Sequence, residues 1–163
     1  MRSRKTNALQ VAVLLAGIIF IITGAAFFYS PMAVFRLFVS NISDTWLDLT
    51  RDNELIAPMY HTLRAFAALL ITSGMAMVMP LFDPLKYRLM IYFNGVIFPF
   101  FASLMLIKTG FSLGIRLNMK EGAFQGNYVH KSMIVFGFIF AFIFFSCLIT
   151  LFITRKDAKE GKE

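Results

Sequence analysis

Four stretches of about twenty apolar residues, at 8–29, 58–80, 87–107 and 132–154, constrain this chain more than any other feature of its sequence. A helix rises about 1.5 Å per residue, so about twenty residues cross the roughly 30 Å hydrocarbon core of a bilayer. Hydrocarbon offers no hydrogen-bond partners, and an isolated strand would leave its peptide groups unpaired there. We therefore predict a single membrane domain over 1–163 with an all-α fold, a four-helix transmembrane bundle.

The composition indicates that lipid covers much of the surface of this protein. Hydrophobic residues make up 58% of the 163 residues and charged residues 15%, whereas soluble domains carry about 25% charged residues. The mean hydropathy is +0.71. In a soluble protein the formal net charge of +7 would favour nucleic acid as a partner; beside apolar spans, anionic lipid headgroups are the expected partner and no nucleic acid is predicted.

Two of the predicted helices contain residues that are unusual for a straight α-helix. In 132–154, phenylalanine recurs at alternate positions, as in a β-strand: Phe136, Phe138, Phe140, Phe142 and Phe144. The residues between them are apolar too, so the polar lumen face of a barrel strand is missing and a helix is predicted. In 87–107, Pro99 lacks the amide hydrogen for one helical bond, which predicts a kink near the bilayer centre.

Small residues at every fourth position indicate where helices approach one another closely. Such stripes occur at Ala8, Ala12 and Ala16 and at Ala68, Thr72 and Ala76, and Gly17 and Gly24 lie one heptad apart.

The single cysteine, Cys147, cannot form a disulfide or a thiolate cluster within one chain. We interpret it as a small packing residue.

The distribution of Lys and Arg predicts the orientation. Three groups lie at the ends of predicted spans that share one side: Arg2, Arg4 and Lys5; Lys86 and Arg88; Arg155, Lys156, Lys159 and Lys162. By the positive-inside rule this side is cytoplasmic. The chain is thus expected to be a multi-pass protein of the cell (inner) membrane with both termini in the cytoplasm.

The two loops on the other side, 31–57 and 109–130, are expected to pack together as an outer cap, since the first is acidic and the second is basic.

Ser30 and Pro31 form a helix-start signal, and a short amphipathic helical segment is predicted in the first loop. Asp44, Asp48 and Asp52 repeat at every fourth position of that segment. We interpret them as the solvated face of an interfacial helix, so no metal site is predicted.

Charged and polar residues within apolar spans are costly and therefore mark candidate sites. The candidates for cofactor or headgroup binding lie at the outer ends of three predicted helices: His61, Arg64, Lys108 and His130. No cofactor is predicted outright. His61 and His130 suit the axial positions of a b-type haem, and together with the two cations they suit a quinone or an anionic headgroup. Ordinary contacts with headgroups, with Arg64 snorkelling, are the competing interpretation.

The motifs of common catalytic sites are missing from the sequence. It contains no Gly-x-Ser-x-Gly elbow, no phosphate-binding glycine loop and no His-Glu-x-x-His, so enzymatic activity is not expected. The absence of Asp and Glu from the predicted spans argues against a proton-coupled exporter.

The favoured function is a non-enzymatic accessory or assembly subunit of a larger membrane complex, which contacts a membrane protein partner or a second copy. The alternatives are a binder of haem, quinone or a lipid headgroup at the outer face, and a small transporter acting as an oligomer.

Two segments resemble the DoxX-like group of small four-helix membrane proteins. They are Leu15-Ala16-Gly17-Ile18-Ile19-Phe20 with Thr23-Gly24 and Pro31, and Leu63-Arg64-Ala65-Phe66-Ala67-Ala68 with Gly74. The resemblance extends to the helix order of the whole chain, whereas the long acidic first loop and the glycine-rich second loop depart from the pattern. It implies a compact bundle, in some members associated with respiratory or redox membrane complexes.

Overall fold

A computed structural model describes residues 4–31, 34, 57–118 and 127–155, without the side chains of 57–60, 113–118 and 127–132. Its helices are α1 (Arg4–Tyr29), α2 (Ala57–Val78, followed by a 3-10 turn at Met79–Leu81), α3 and α4 (Asn127–Ile153). The third helix, α3, has three consecutive parts: Arg88–Tyr92, a π-helical segment at Phe93–Ile97, and Phe98–Asn118. The predicted all-α four-helix bundle is confirmed. Several helices extend beyond the predicted apolar stretches because their ends include polar residues.

Each of the four helices is long and apolar enough to cross a membrane. An 18-residue window has a mean hydropathy of 2.7 within Arg4–Tyr29, 1.6 within His61–Leu81, 1.9 within Arg88–Ser112 and 2.7 within Met133–Ile153. Large apolar side chains also cover the outside of the bundle; Phe101 is 61% exposed and Phe152 is 73% exposed. Such surfaces are stable in lipid rather than in water, so the chain has the build of a multi-pass membrane protein.

The helices pack as two pairs. α1 lies along α2, the Phe98–Asn118 part of α3 lies along α4, and contacts between α1 and α4 join the pairs. Antiparallel neighbours place the start of α1, the turn between α2 and α3, and the end of α4 at one end of the bundle, which we call the terminal end; the opposite end is the loop end. At the terminal end, Gln10 Nε2 donates a hydrogen bond of 2.6 Å to the carbonyl of Leu81.

Glycines set the distance between α1 and α2, as the small-residue pattern of α1 predicts. Gly17 packs against Gly74, and Gly24 packs against Ala67 and Ile71. At both positions the nearest atoms include backbone of the other helix, so the two helices are in direct main-chain contact. A larger residue at any of these glycines would force the helices apart.

The stripe predicted on α2 is not the buried face of that helix. Thr72 is exposed, and Ala68 and Ala76 are half-buried. The buried face consists of Ala67, Leu70, Gly74 and Met77. The spacing of small residues alone therefore indicated a face of α2 that the other three helices cover only in part.

The kink predicted at Pro99 stays a prediction; a π-helical segment, Phe93–Ile97, lies shortly before this residue. Within this segment the amide of Phe98 donates to the carbonyl of Phe93, five residues back. The wider turn accommodates the proline ring, which in a regular α-helix collides with the carbonyl four residues earlier. Asn94, a polar residue of this segment, donates from Nδ2 to the carbonyl of Met90 at 3.2 Å, so its amide group is hydrogen-bonded within its own helix.

The core contains aromatic residues at the middle of the bundle. Phe20 of α1 lies with its ring centroid 5.6 Å from that of Phe98 and 5.7 Å from that of Phe140, and the last two are 5.9 Å apart. Aliphatic residues from the four helices continue this core towards the terminal end, among them Leu9, Val13, Met77, Ile91, Ile143, Cys147 and Leu151. The buried position of Cys147 agrees with the packing role predicted for it.

The predicted outer cap and its amphipathic segment lie outside the described residues. At the boundary, Pro31 and Val34 are helical, and the amide of Val34 donates to the carbonyl of Ser30 at 3.3 Å. These two residues agree with the helix start predicted at Ser30 and Pro31.

Candidate functional site

The predicted site residues at the loop end lie on different helices. His61 is exposed and Arg64 is half-buried, both on α2. Lys108 is exposed on α3, in the part of that helix that packs along α4. The His130 side chain lies outside the described residues. A haem, quinone or headgroup site formed by these four residues therefore stays a prediction.

A different arrangement of cations occurs at the terminal end, where Arg88 connects α3 to α4. Arg88 is the first residue of α3, and its guanidinium reaches the last turn of α4. Its Nη2 donates to the carbonyl of Leu151 at 2.6 Å, and its Nη1 donates to the carbonyl of Thr154 at 3.1 Å. Carbonyls at the end of a helix lack intrahelical partners and lie at the negative end of the helix dipole. Arg88 therefore caps α4 with charge-assisted hydrogen bonds.

The hydroxyl of Thr154 holds the Arg88 guanidinium in this position. Thr154 is 0% exposed. Its Oγ1 accepts a hydrogen bond from Arg88 Nη1 at 2.9 Å and lies 2.8 Å from the carbonyl of Thr150, to which it donates. Because a hydroxyl has a single hydrogen to donate, the bond to Thr150 turns its lone pairs towards Arg88. The guanidinium is thus oriented by a buried group rather than left to move in solvent.

Beside this contact lies an open groove of about 350 Å³ between α3 and α4. Its lining consists of Arg88, Leu89, Tyr92, Leu148, Leu151, Phe152 and Arg155. The α4 positions follow the spacing of a single helical face. The two arginines lie at the terminal end, and the apolar side chains continue towards the middle of the bundle. The groove is therefore amphipathic along its length.

The positive charge of this groove has no carboxylate to balance it within the described residues. Arg88 and Arg155 are close enough for their charges to repel each other. The acid present in the described ranges is Asp83, whose Oδ1 accepts the backbone amide of Lys86 at 3.0 Å. Two guanidinium groups beside an apolar groove are complementary to an anion that carries an apolar tail.

Sequence reasoning assigned Arg88 and Arg155 only to the orientation of the chain. They are far apart in the sequence, and only the packing of α3 against α4 brings them to one groove. A local signal does exist: Thr150 and Thr154 lie one turn apart at the end of an apolar helix, a place where polar side chains need partners. That signal points to a polar contact but not to the residue that completes it.

Comparison with models of protein families found no match, and comparisons with curated proteins and with solved structures found none either. The resemblance to the DoxX-like group therefore stays a prediction.

Proposed function

We propose that this chain is a non-enzymatic membrane protein that binds an anionic lipid in the groove between α3 and α4. The observation that carries the proposal is the convergence of Arg88 and Arg155 on one groove where no described carboxylate balances their charge. Guanidinium groups bind phosphate oxygens through paired N–H donors. The headgroup site that the sequence suggested for the loop end is thereby proposed for the terminal end.

The position of the groove in the membrane supports a lipid over a soluble anion. Arg88 begins the membrane-spanning segment Arg88–Ser112, so its guanidinium lies at the level of headgroups. Leu89, Tyr92 and Phe152 are all exposed and extend the surface towards the hydrocarbon. A lipid satisfies both parts at once, since its phosphate meets the arginines while its chains lie on the apolar residues.

The orientation that we propose follows from the density of Lys and Arg at the terminal end. By the positive-inside rule this end, with both termini, faces the cytoplasm of a cell (inner) membrane. The cytoplasmic leaflet carries anionic lipids, whose negative surface potential attracts basic residues. The proposed ligand is therefore abundant on the side where the groove opens.

Native mass spectrometry of lipid retention tests this function. The protein is purified in mild detergent and exchanged into equal amounts of phosphatidylglycerol and phosphatidylcholine. We expect retained lipid to be enriched in phosphatidylglycerol, and Arg155→Gln to reduce that enrichment several-fold. Lys86→Gln is the matched control, because Lys86 is an exposed cation at the same end whose ammonium lies over the Tyr87 ring, outside the groove. Equal retention of both lipids, or equal losses in both variants, would contradict the proposal.

A second candidate function is the accessory or assembly subunit favoured by the sequence. The observation in its favour is the partly exposed face of α2 that contains Ala68, Thr72 and Ala76. The side chains of this face are small. The Thr72 hydroxyl donates to the carbonyl of Ala68 at 2.9 Å, so its hydrogen bond is already formed within α2. Helices in membranes pack closely on such faces.

Cross-linking in native membranes distinguishes this second function. Thr72→Cys, made together with Cys147→Ala, is treated with a short bifunctional maleimide. The matched control is Phe142→Cys in the same background, since Phe142 is an exposed residue of α4. A discrete adduct from position 72 but not from position 142 is the expected result for an assembly subunit. Monomer alone at both positions would reject this role for the face.

A further inference from the structure

We infer that the groove between α3 and α4 selects lipids whose terminal phosphate is a monoester, with two negative charges, over singly charged phosphodiester lipids. This inference rests on the proposed function and names the class of lipid. It follows from three features of the groove: the number of fixed charges, the hydrogen-bond donors that remain, and the absence of a carboxylate among the described residues that line it.

The charges of the groove match two negative charges better than one. Arg88 and Arg155 both line it and repel each other. The backbone carbonyls that bind Arg88 supply dipoles rather than a full negative charge. A phosphodiester lipid brings one negative charge and leaves one guanidinium uncompensated, whereas a phosphate monoester carries about −1.5 to −2 at pH 7. The second charge of the monoester removes the remaining repulsion.

The donors that remain on the two arginines suit a phosphate with three free oxygens. A guanidinium has five N–H donors. Arg88 donates hydrogen bonds from Nη1 and Nη2 to the end of α4. The remaining N–H groups of its guanidinium can bind a ligand. Arg155 is exposed, and none of the described residues accepts a hydrogen bond from it. Two forks that approach one phosphorus from different helices fit three terminal oxygens better than the two non-bridging oxygens of a diester.

Zwitterionic lipids fit the groove poorly. Among the described residues, the lining contains two cations and no carboxylate: the other lining residues are Leu89, Tyr92, Leu148, Leu151 and Phe152. The choline or ethanolamine group of a zwitterionic lipid would lie near Arg155 and be repelled by it. A volume of about 350 Å³ is enough for a phosphate and the first part of its glycerol or prenyl chain, and the remaining chain lies along the exposed apolar face.

Lipid competition at two pH values tests this inference. Wild-type protein in nanodiscs receives equal amounts of phosphatidic acid, phosphatidylglycerol and phosphatidylcholine, and the retained lipids are measured by native mass spectrometry at pH 8 and pH 5. One further charge about 4 Å away in a water-like dielectric corresponds to a preference of about fivefold, which we expect for phosphatidic acid over phosphatidylglycerol at pH 8. At pH 5, below the second pKa of a phosphate monoester at about 6, the two retained amounts should become equal.

Phosphatidylglycerol serves as the internal control for the protein in this experiment, because its diester keeps one charge at both pH values. Among the described residues, the charged and titratable side chains around the groove are Arg88, Tyr92 and Arg155, with Arg4, Lys5, Asp83, Lys86 and Tyr87 on the adjoining parts of the terminal end. If one of these groups governed binding, retention of phosphatidylglycerol relative to phosphatidylcholine would change with pH. A constant ratio assigns the pH effect to the monoester.

The outcomes separate the inference from the proposed function. Equal retention of the two anionic lipids at pH 8, both above phosphatidylcholine, overturns the monoester selectivity and leaves the proposed function in place. A preference for phosphatidic acid that persists at pH 5 overturns the charge argument as well. No enrichment of either anionic lipid removes both claims. Arg155→Gln should abolish the preference between the anionic lipids, and loss of bound lipid on adding inorganic phosphate would show a site for a soluble anion instead.

Discussion

Gly17 and Gly74 face each other where α1 crosses α2; Gly74 has no room for a methyl group, and at Gly17 a methyl group would be tightly packed. A Cβ on Gly74 would lie 2.8 Å from the carbonyl oxygen of Gly17, and a Cβ on Gly17 would lie 3.1 Å from the carbonyl oxygen of Gly74. These neighbours are backbone atoms, which cannot rotate away as a side chain can. The crossing therefore depends on glycine at both positions.

Replacing Gly74 by alanine should destabilise the bundle more than replacing Gly17. The Gly74 position also has the backbone amide of Ile21 at 2.9 Å, so an added methyl group forces α1 and α2 apart. Overpacking of this kind costs about 1–3 kcal/mol. The free energy of unfolding in mixed detergent micelles measures the effect, with Thr72→Ala on the exposed face of α2 as the control. A Gly74→Ala protein as stable as Thr72→Ala would contradict this description of the crossing.

The π-helical segment of α3 supplies a second prediction through the contact of Gly95 with Cys147. A Cβ on Gly95 would lie 2.8 Å from Cys147 Sγ and 3.0 Å from Met77 Cε. The Met77 methyl group is the end of a flexible side chain and can move aside, whereas the short Cys147 side chain cannot. Gly95→Ala should therefore destabilise the protein, and Cys147→Ala in the same chain should recover much of the loss because it removes the sulfur.

A double-mutant cycle in the same unfolding assay measures this coupling. We expect an interaction free energy of about 1 kcal/mol in favour of the double variant, which lies within the range for residues in contact. The wild-type thiol gives a second readout: Cys147 is 0% exposed, so maleimide labels it only when the bundle opens, and Gly95→Ala should speed that labelling. Additive effects of the two substitutions would show that the contact is absent.

The cap that Arg88 places on α4 supplies a third prediction. Arg88→Met removes the hydrogen bonds to Leu151 and Thr154 at once, Arg88→Lys retains a charge but not the fork, and Thr154→Val removes only the hydroxyl contact. Hydrogen bonds that involve a charged group contribute about 1.5–3 kcal/mol, so the loss of stability should fall in that order. Hydrogen exchange of the amides in the last turn of α4 should increase in all three variants, most in Arg88→Met and least in Thr154→Val. An Arg88→Met protein with unchanged exchange there would contradict the capping role.

The sequence predicted the four helices because their apolar stretches are long enough to cross a bilayer, and that length does not depend on tertiary structure. It also predicted small residues between helices, correctly for Gly17 and Gly24. For α2 the same spacing pointed to Ala68, Thr72 and Ala76, whereas Ala67 and Gly74 lie on the packed face. Spacing identifies a smooth face but not the neighbour that covers it.

The candidate site was harder to predict, because both of its arginines have an ordinary explanation as charges at the membrane surface. Arg88 and Arg155 become a site only when the end of α4 is packed beside the start of α3. The carbonyls that hold Arg88 are backbone groups, which leave no mark in the sequence. Only Thr154 among the groups bound to Arg88 is a side chain, and a threonine near the end of an apolar helix is common.

A fourth prediction concerns Phe20, which is 0% exposed and meets Phe98 edge-on and Phe140 at a tilt. In water, Phe→Ala substitutions in a core cost about 3–5 kcal/mol, a sum of lost transfer free energy and a cavity. In a bilayer the separated helices also lie among apolar chains, so only the cavity and the lost packing remain. Phe20→Ala should therefore cost less than about 3 kcal/mol, and Phe20→Leu less still. Phe138→Ala, at an exposed position of α4, is the control and should leave the free energy of unfolding unchanged. A loss at Phe20 as large as in soluble cores would mean that the unfolded state of this chain leaves the bilayer.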